Sequence, residues 1–298
     1  MPYADNDGVS LYYEIDGPQG DESTREEGEA ANGSDPETVA LVEGLGYSRW
    51  MWRWQRRRLA DEGYRVVVWD NRGTGDSDAQ SSGARRASER GSEIPEGTYT
   101  VEHMASDLEA VLDAAGVEHA HVVGASMGGM IAQQYALDYD RAASLALLCT
   151  SHGGEEALDV PEETRTRMFD VPEDADEREA IRYKMKPAMT DEFWRANEEL
   201  IETIVDWRLE GDAPDEAREA QAAAVADFDA SDRLAEIELP TLVAHGSDDR
   251  VLPVENADLL ARKLANAELA IFEGGPHLFF IEQADAVNDR LTEFLSHA

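Results

Sequence analysis

Short apolar runs alternate with amphipathic helical patterns along most of this sequence, and this alternation constrains the fold more than any other feature. Examples of the runs are RVVVWD, which begins at Arg65, and SLALLC, which begins at Ser144. Runs that are apolar throughout are typical of strands in a parallel sheet, because helices cover both faces of such a sheet. The pattern therefore predicts an α/β protein with a mostly parallel central sheet and helices on both faces.

The predicted elements follow one another along the chain. Strands are expected at 8–16, at the start of 38–46 and of 64–78, and at 119–125, 143–150, 240–245 and 267–273. Helices are expected at 47–63, 100–117, about 127–138, about 254–265 and 283–296. Two polar stretches without apolar periodicity, residues 18–37 and 79–98, are expected to be inserted loops.

The alternation of predicted strands and helices is interrupted between residues 152 and 232. This stretch is acidic and helical in pattern, it carries aromatic residues spaced among polar ones, and it contains no convincing buried strand. The alternation of strands and helices then returns. We therefore predict an α/β core formed by residues 1–151 and 233–298, with residues 152–232 inserted as a helical cap.

The charge balance is strongly acidic, with 64 Asp and Glu residues against 26 Lys and Arg, for a net charge of −38. Six tryptophans and clear apolar runs argue against a disordered acidic chain. A solvated acidic surface would repel nucleic acid and anionic membranes, so neither is expected as a partner. Lysine is rare, and the acid-rich, lysine-poor composition resembles that of proteins from salt-loving organisms.

Other features of the sequence bear on its compartment. Cys149 is the single cysteine and lies in an apolar run, so no internal disulfide is expected. The first ten residues, MPYADNDGVS, contain neither a basic region nor an apolar stretch, and no run of about 18 apolar residues occurs. We expect a soluble cytoplasmic protein, and the oligomeric state stays open.

A serine lies between a predicted strand and a predicted helix in HVVGASMGGMIAQQY, residues 121–135. Gly124 to Gly128 fit the pattern G-x-S-x-G, in which a sharp turn lifts the serine oxygen above the sheet edge. The first turn of the following helix presents free N–H groups to a developing negative charge. The motif alone is weak, and the glycines could simply permit close packing. Its place between strand and helix makes Ser126 a candidate nucleophile.

A serine nucleophile needs a base, and the base needs an acid that orients it. LVAHGSDDRVLP carries Asp248 and Asp249 after one predicted strand, and AIFEGGPHLFFIEQ carries His277 after the next. Both loops are expected at the carboxyl edge of the sheet, where Ser126 should also lie. The other six histidines are less well placed; His245, for example, lies within the end of a strand.

Five motifs together identify a resemblance to the α/β-hydrolase fold family, in the branch of 3-oxoadipate enol-lactonases and small carboxylesterases. They are LVEGLGYS, WDNRGTGDSD, GASMGGMIAQ, HGSDDRVLP and GGPHLFFIEQ. The resemblance implies that Ser126, Asp249 and His277 form a catalytic triad, with Asp249 preferred over Asp248 because it precedes an Arg/Pro-type turn. It also implies an oxyanion hole made by the backbone N–H groups of Leu45 and Met127.

One motif departs from the family pattern. The family usually has His-Gly after the strand at 38–43, whereas this chain has Glu43-Gly44. The change keeps the backbone N–H donor of Leu45, but it removes the support that a histidine side chain would give to this turn. In WDNRGTGDSD, Asp70, Arg72 and Gly73 are expected to fix their loop by hydrogen bonds.

The predicted function is that of a serine hydrolase acting on a small-molecule carboxylic ester or lactone, without a cofactor. No metal-ligand pattern and no phosphate-binding loop occurs in the sequence. A C–C bond hydrolase or a cofactor-free perhydrolase or haloperoxidase of the same fold uses the same triad. A non-catalytic ligand receptor is the alternative from another class. The physiological substrate stays open.

Overall fold

The computed structural model describes residues 2–18, 36–79, 99–169, 171–172 and 174–298. The two predicted polar insertions, 18–37 and 79–98, lie almost entirely outside these residues, so the loop predictions made for them stay predictions.

A central sheet of eight strands runs through the described part of the chain. Its spatial order is β1-β2-β4-β3-β5-β6-β7-β8. The pairs β1/β2 and β2/β4 are antiparallel, and every pair from β4 to β8 is parallel. The strands are Tyr3–Asn6 (β1), Val9–Asp16 (β2), Thr38–Val42 (β3), Arg65–Trp69 (β4), Ala120–Ala125 (β5), Ala142–Leu148 (β6), Thr241–Gly246 (β7) and Ala267–Phe272 (β8).

Helices connect these strands and cover the sheet. In the described residues the α-helices are Arg53–Asp61 (α1), Val101–Ala114 (α2), Met127–Asp138 (α3), Glu162–Phe169 (α4), Glu177–Met185 (α5), Asp191–Ala196 (α6), Glu198–Gly211 (α7), Asp215–Asp227 (α8), Glu255–Lys263 (α9), Phe279–Glu282 (α10) and Ala284–Leu295 (α11). Short 3₁₀ turns lie at Arg49–Trp52, Lys186–Ala188 and Leu234–Glu236.

The core has two halves, one on each face of the sheet. Alternate residues of β5 belong to opposite halves: Val122 packs in the cluster that contains Leu108 of α2, and Val123 packs in the cluster that contains Leu59 of α1. This alternation follows from the two-residue period of a strand. Both faces are apolar because both are covered, which confirms the predicted α/β architecture.

Some predicted boundaries were wrong. The strand β1 was missed; it pairs with β2 through a tight turn in which Asp7 and Gly8 both have positive φ, as a two-residue hairpin requires. The helix predicted at 47–63 begins as a 3₁₀ turn before α1, and the helix predicted at 283–296 is preceded by the short α10.

We propose that residues 152–232 form a cap over the carboxyl edge of the parallel strands. The described part of this segment is largely helical, from α4 to α8. It contacts loops that follow the carboxyl ends of strands: the Ala213 N–H donates to Gly46 O at 2.9 Å, after β3, and the Leu278 N–H donates to Ala188 O at 2.9 Å, after β8. These contacts place helices next to the loops in which the candidate site residues lie.

Candidate active site

Ser126 occupies a strained turn between β5 and α3. Its φ and ψ are 55° and −118°, a conformation that residues with a side chain rarely adopt. The neighbouring glycines allow this turn to pack closely. A Cβ atom on Gly124 would lie 2.1 Å from Gly128 O, and one on Gly128 would lie 2.1 Å from Val42 O. The G-x-S-x-G spacing is therefore a steric requirement of this elbow.

Hydrogen bonds on every side hold the Ser126 backbone in place. Its N–H donates to Leu148 O at 2.9 Å, and its carbonyl oxygen accepts from the Thr150 hydroxyl at 2.7 Å and the Gly129 N–H at 2.9 Å. A strained residue persists only when its surroundings fix it in this way. The surroundings therefore fix the serine at the carboxyl edge of the sheet.

The structure brings Asp249 and His277 together, although 28 residues separate them in the chain. The His277 Nδ1 lies 2.7 Å from Asp249 Oδ2. The other carboxylate oxygen, Oδ1, accepts the backbone N–H groups of Val251 at 2.7 Å and Leu252 at 2.9 Å. Asp248, the alternative acid, is exposed and accepts from the Ser247 hydroxyl instead. The geometry thus pairs His277 with Asp249.

The electrostatics of this pair suit an acid that stays ionised. Burial by itself would raise the pKa of the Asp249 carboxyl, but the adjacent imidazoles of His277 and His245 outweigh it and lower that pKa below its ordinary value. Because Nδ1 of His277 carries the proton that faces Asp249, Nε2 of the neutral ring is the nitrogen free to accept a proton. This is the tautomer that a general base next to a hydroxyl requires.

His245 is a neighbour of Asp249 that the sequence analysis did not assign to the site. Its ring is fully buried, and its Nε2 lies 3.0 Å from Asp249 Oδ2. The same nitrogen lies 3.0 Å from Leu252 O. The available signal was its position four residues before Asp249, at the end of a strand that leads into the Asp249 loop.

The turn that follows β3 lies beside Ser126. A Cβ atom on Gly44 would lie 3.5 Å from the Ser126 Cβ. Within the described part of the chain, the backbone N–H groups of Leu45 and Met127 have no hydrogen-bond acceptor. Met127 is the first residue of α3, where backbone N–H groups lack a partner within the helix. Both predicted oxyanion donors thus flank the elbow with their donors unused.

The cap holds the same turn through Gln221. Its Oε1 accepts the Gly46 N–H at 2.7 Å, and its Nε2 donates to Arg72 O at 3.1 Å. The Gln221 side chain is fully buried in α8. Sequence spacing could not indicate this contact, since 175 residues separate Gln221 from Gly46.

Glu43 stands where the family usually has histidine, and it is fully buried. Neither of its carboxyl oxygens has a hydrogen-bond partner among the described residues. Burial raises the pKa of the Glu43 carboxyl well above its ordinary value of 4.5, and the nearby Asp70 carboxylate raises it further. Both effects favour the neutral form of Glu43, which directly precedes the turn that carries Leu45.

The loop that follows β4 is fixed by charged side chains, as predicted. The Asp70 carboxylate accepts the backbone N–H groups of Arg49 at 2.9 Å and Asp76 at 3.0 Å, and it pairs with the Arg49 guanidinium. Arg72 forms a bidentate pair with Asp107, at 2.6 and 2.7 Å. These bonds hold the loop against the core, which supports the structural role predicted for Asp70 and Arg72.

No group of three or more His, Cys, Asp and Glu side chains among the described residues could hold a metal ion. No helix in the same residues combines the length and the apolarity that crossing a bilayer requires.

Comparison with known proteins agrees with this fold. Residues 37–284 match the family described as alpha/beta hydrolase fold. The putative carbamate hydrolase RutD of Variovorax paradoxus (strain S110) is 30% identical over 299 residues, which cover 97% of each chain. A thermophilic esterase from Thermogutta terrifontis is 29% identical with a TM-score of 0.72, and the match covers 97% of this chain and 93% of that one.

A third protein resembles this one in fold. The enol-lactonase from Burkholderia xenovorans LB400 has a TM-score of 0.78 at 24% identity, over 99% of this chain and 100% of that one. The match to the family covers most of the chain, so the protein belongs to the α/β-hydrolase family. It is a hydrolase, in agreement with the names of the carbamate hydrolase and the esterase to which it is similar.

Proposed function

We propose that this hydrolase cleaves a carboxylic ester or lactone through an acyl-enzyme on Ser126. The observation that carries the proposal is the hydrogen bond between His277 Nδ1 and the buried Asp249 carboxylate, at the sheet edge where the Ser126 elbow also lies. The pairing of His277 with Asp249 supports their roles as base and orienting acid, and the position of the Ser126 elbow at the same sheet edge supports its role as the nucleophile.

In the first step, His277 Nε2 takes the proton of the Ser126 hydroxyl while the oxygen attacks the carbonyl carbon. Asp249 keeps the His277 ring in the required tautomer and stabilises the imidazolium that forms. The N–H groups of Leu45 and Met127 donate to the oxyanion of the tetrahedral intermediate. His277 then gives its proton to the leaving alcohol, and the acyl group stays on Ser126.

In the second step, water replaces the alcohol. His277 takes a proton from the water as it attacks the acyl-enzyme. The second tetrahedral intermediate then collapses to the acid, and His277 Nε2 returns its proton to the leaving Ser126 oxygen, which restores the hydroxyl. A lactone follows the same course, except that its leaving alcohol remains attached to the acyl group. No step requires a cofactor.

The activities named for the relatives support this reaction class. They are described as a carbamate hydrolase, an esterase and an enol-lactonase. Carbamates, esters and lactones share an acyl carbon that is open to nucleophilic attack. We infer that residues 152–232, as the proposed cap, select the small-molecule substrate, because this segment contacts the loops that follow β3 and β8.

Turnover of p-nitrophenyl acetate and butyrate in molar KCl tests the proposal. Asp249→Asn should lower kcat by about 10⁴-fold, because the imidazole loses the tautomer it needs. Asp248→Asn is the matched control, and it should change kcat by less than about twofold, since Asp248 is solvated. Equal losses in the two variants, or a larger loss for Asp248→Asn, would contradict the assignment.

A further inference from the structure

We propose that His245 is a positioning residue, whose Nε2–H donates to Asp249 Oδ2 and so fixes the carboxylate that orients His277. The inference rests on the proposed function, because it assigns a further member to the same group of residues. His245 contacts Asp249 Oδ2, the same oxygen that His277 Nδ1 contacts, and it takes no part in the proposed proton transfer.

The surroundings of the ring determine which nitrogen carries hydrogen. The His245 Nε2 lies 3.0 Å from Asp249 Oδ2 and 3.0 Å from Leu252 O. A backbone carbonyl oxygen only accepts hydrogen bonds, and so does an ionised carboxylate, so Nε2 must be the donor. The Nδ1 atom is buried without a partner among the described residues. A proton there would add an unsatisfied buried donor, so the hydrogen that the ring donates is the one on Nε2.

With His245 included, the Asp249 carboxylate has a full set of donors. Oδ1 accepts two backbone N–H groups, from Val251 and Leu252. Oδ2 lies 2.7 Å from His277 Nδ1, to which it is hydrogen-bonded, and 3.0 Å from His245 Nε2, the second donor in this proposal. Without His245, one side of Oδ2 would be free, and the plane of the carboxylate would be less firmly fixed relative to His277.

His245 also ties the two ends of the loop that carries Asp249. It is the next-to-last residue of β7, and its Nε2 reaches the carbonyl of Leu252, three residues beyond Asp249. A single N–H group therefore contacts both the acid and the returning backbone. The ring fills the inside of this loop, and its side chain is 0% exposed.

Two substitutions separate hydrogen bonding from packing. His245→Phe keeps a planar ring but removes the donor, whereas His245→Gln keeps an N–H donor at a similar reach. His121→Phe is the matched control, because His121 is also a buried strand histidine, with its Nδ1 2.8 Å from Ser144 Oγ and no contact with Asp249. Melting temperature is measured for each variant to verify that it folds.

In turnover of p-nitrophenyl butyrate, His245→Phe should lower kcat by about 10- to 100-fold with little change in KM, since a charge-assisted hydrogen bond to the orienting acid is lost. His245→Gln should recover most of the loss, and His121→Phe should leave kcat within about twofold. In an Asp249→Asn background, His245→Phe should have almost no further effect. An equal loss in both backgrounds, or a Gln variant as slow as the Phe variant, would overturn the proposal.

A measurement without substrate keeps this test independent of the activity. Proton NMR of the wild-type protein should show two downfield imidazole N–H resonances, one from His277 and one from His245. His245→Phe, or His245→Gln if the Phe variant does not fold, should remove one resonance and retain the other, and Asp249→Ala should shift both. Two resonances in a protein without esterase activity would uphold the His245 contact and reject the proposed function. Absence of the His245 resonance would reject the contact itself.

Discussion

Replacing the buried Glu43 by glutamine is expected to stabilise the protein, and to do so more at neutral than at acidic pH. Glu43 is fully buried, and neither of its carboxyl oxygens has a hydrogen-bond partner in the described structure. Burial, followed by the nearby Asp70, raises the pKa of Glu43 well above 4.5 in the folded protein. Glutamine has nearly the same shape and does not titrate.

The sign of this pH dependence follows from the number of protons that the folded and the unfolded state bind. Above the unfolded pKa of 4.5 the unfolded chain has lost the Glu43 proton, while the folded protein still holds it. The free energy of unfolding therefore falls as pH rises, by about 1.4 kcal/mol per pH unit, until pH reaches the folded pKa. If Glu43 stays protonated to neutrality, it costs up to about 2.7 kcal/mol more at pH 7 than at pH 5. Glu43→Gln removes that cost.

Urea unfolding at constant KCl concentration, from pH 5 to pH 8, measures the difference. Glu219→Gln is the matched control: Glu219 is exposed on α8, so this variant removes one negative charge from the surface of a chain with a net charge of −38. The gain from Glu43→Gln should grow with pH, and the gain from Glu219→Gln should not. Parallel pH profiles for wild type and Glu43→Gln would refute the reasoning, since they would show that Glu43 is ionised in the fold.

Three further predictions concern the supporting contacts and the surface. Arg72→Met should lower the free energy of unfolding by about 3–5 kcal/mol, because it leaves the fully buried Asp107 without its cation. Adding Asp107→Asn to this variant should recover part of the lost stability. Additive losses for the two substitutions in urea unfolding would contradict this prediction. Gln221→Leu should slow ester turnover, because it removes the hydrogen bond that holds Gly46. Gln55→Leu, the control, also removes a buried hydrogen bond to a core carbonyl but should leave kcat nearly unchanged. Equal turnover rates for the two variants would contradict the role of Gln221. The melting temperature should rise with KCl toward molar concentration as surface repulsion is screened, and a flat response would contradict the halophilic interpretation.

The sheet and the serine elbow could be predicted because their signals are local. Buried parallel strands show as short apolar runs, and the Ser126 elbow needs glycines at fixed positions for steric reasons. The strand β1 was missed because it is short, half exposed and antiparallel. Its turn at Asp7-Gly8 carried the available signal, since this dipeptide is typical of a tight hairpin.

Contacts between distant segments could not be predicted from one sequence. The loops that carry Asp249 and His277 were predictable as strand exits, because parallel strands end at a common edge. The contact between His245 and Asp249 could not be predicted, because it depends on how the imidazole ring is oriented inside the loop. The link from Gln221 to Gly46 joins the cap to the core across 175 residues, and no periodicity connects the two.

Covalent labelling shows directly whether Ser126 is the nucleophile. A fluorophosphonate is added to the wild-type protein, Ser126→Ala and His277→Ala in molar KCl, and the intact mass and the labelled peptide are measured by mass spectrometry. We expect one adduct per wild-type chain, located on Ser126, none on Ser126→Ala, and labelling of His277→Ala slowed by about 10³-fold or more. An adduct on another residue, or equal labelling of Ser126→Ala, would show that Ser126 is not the nucleophile.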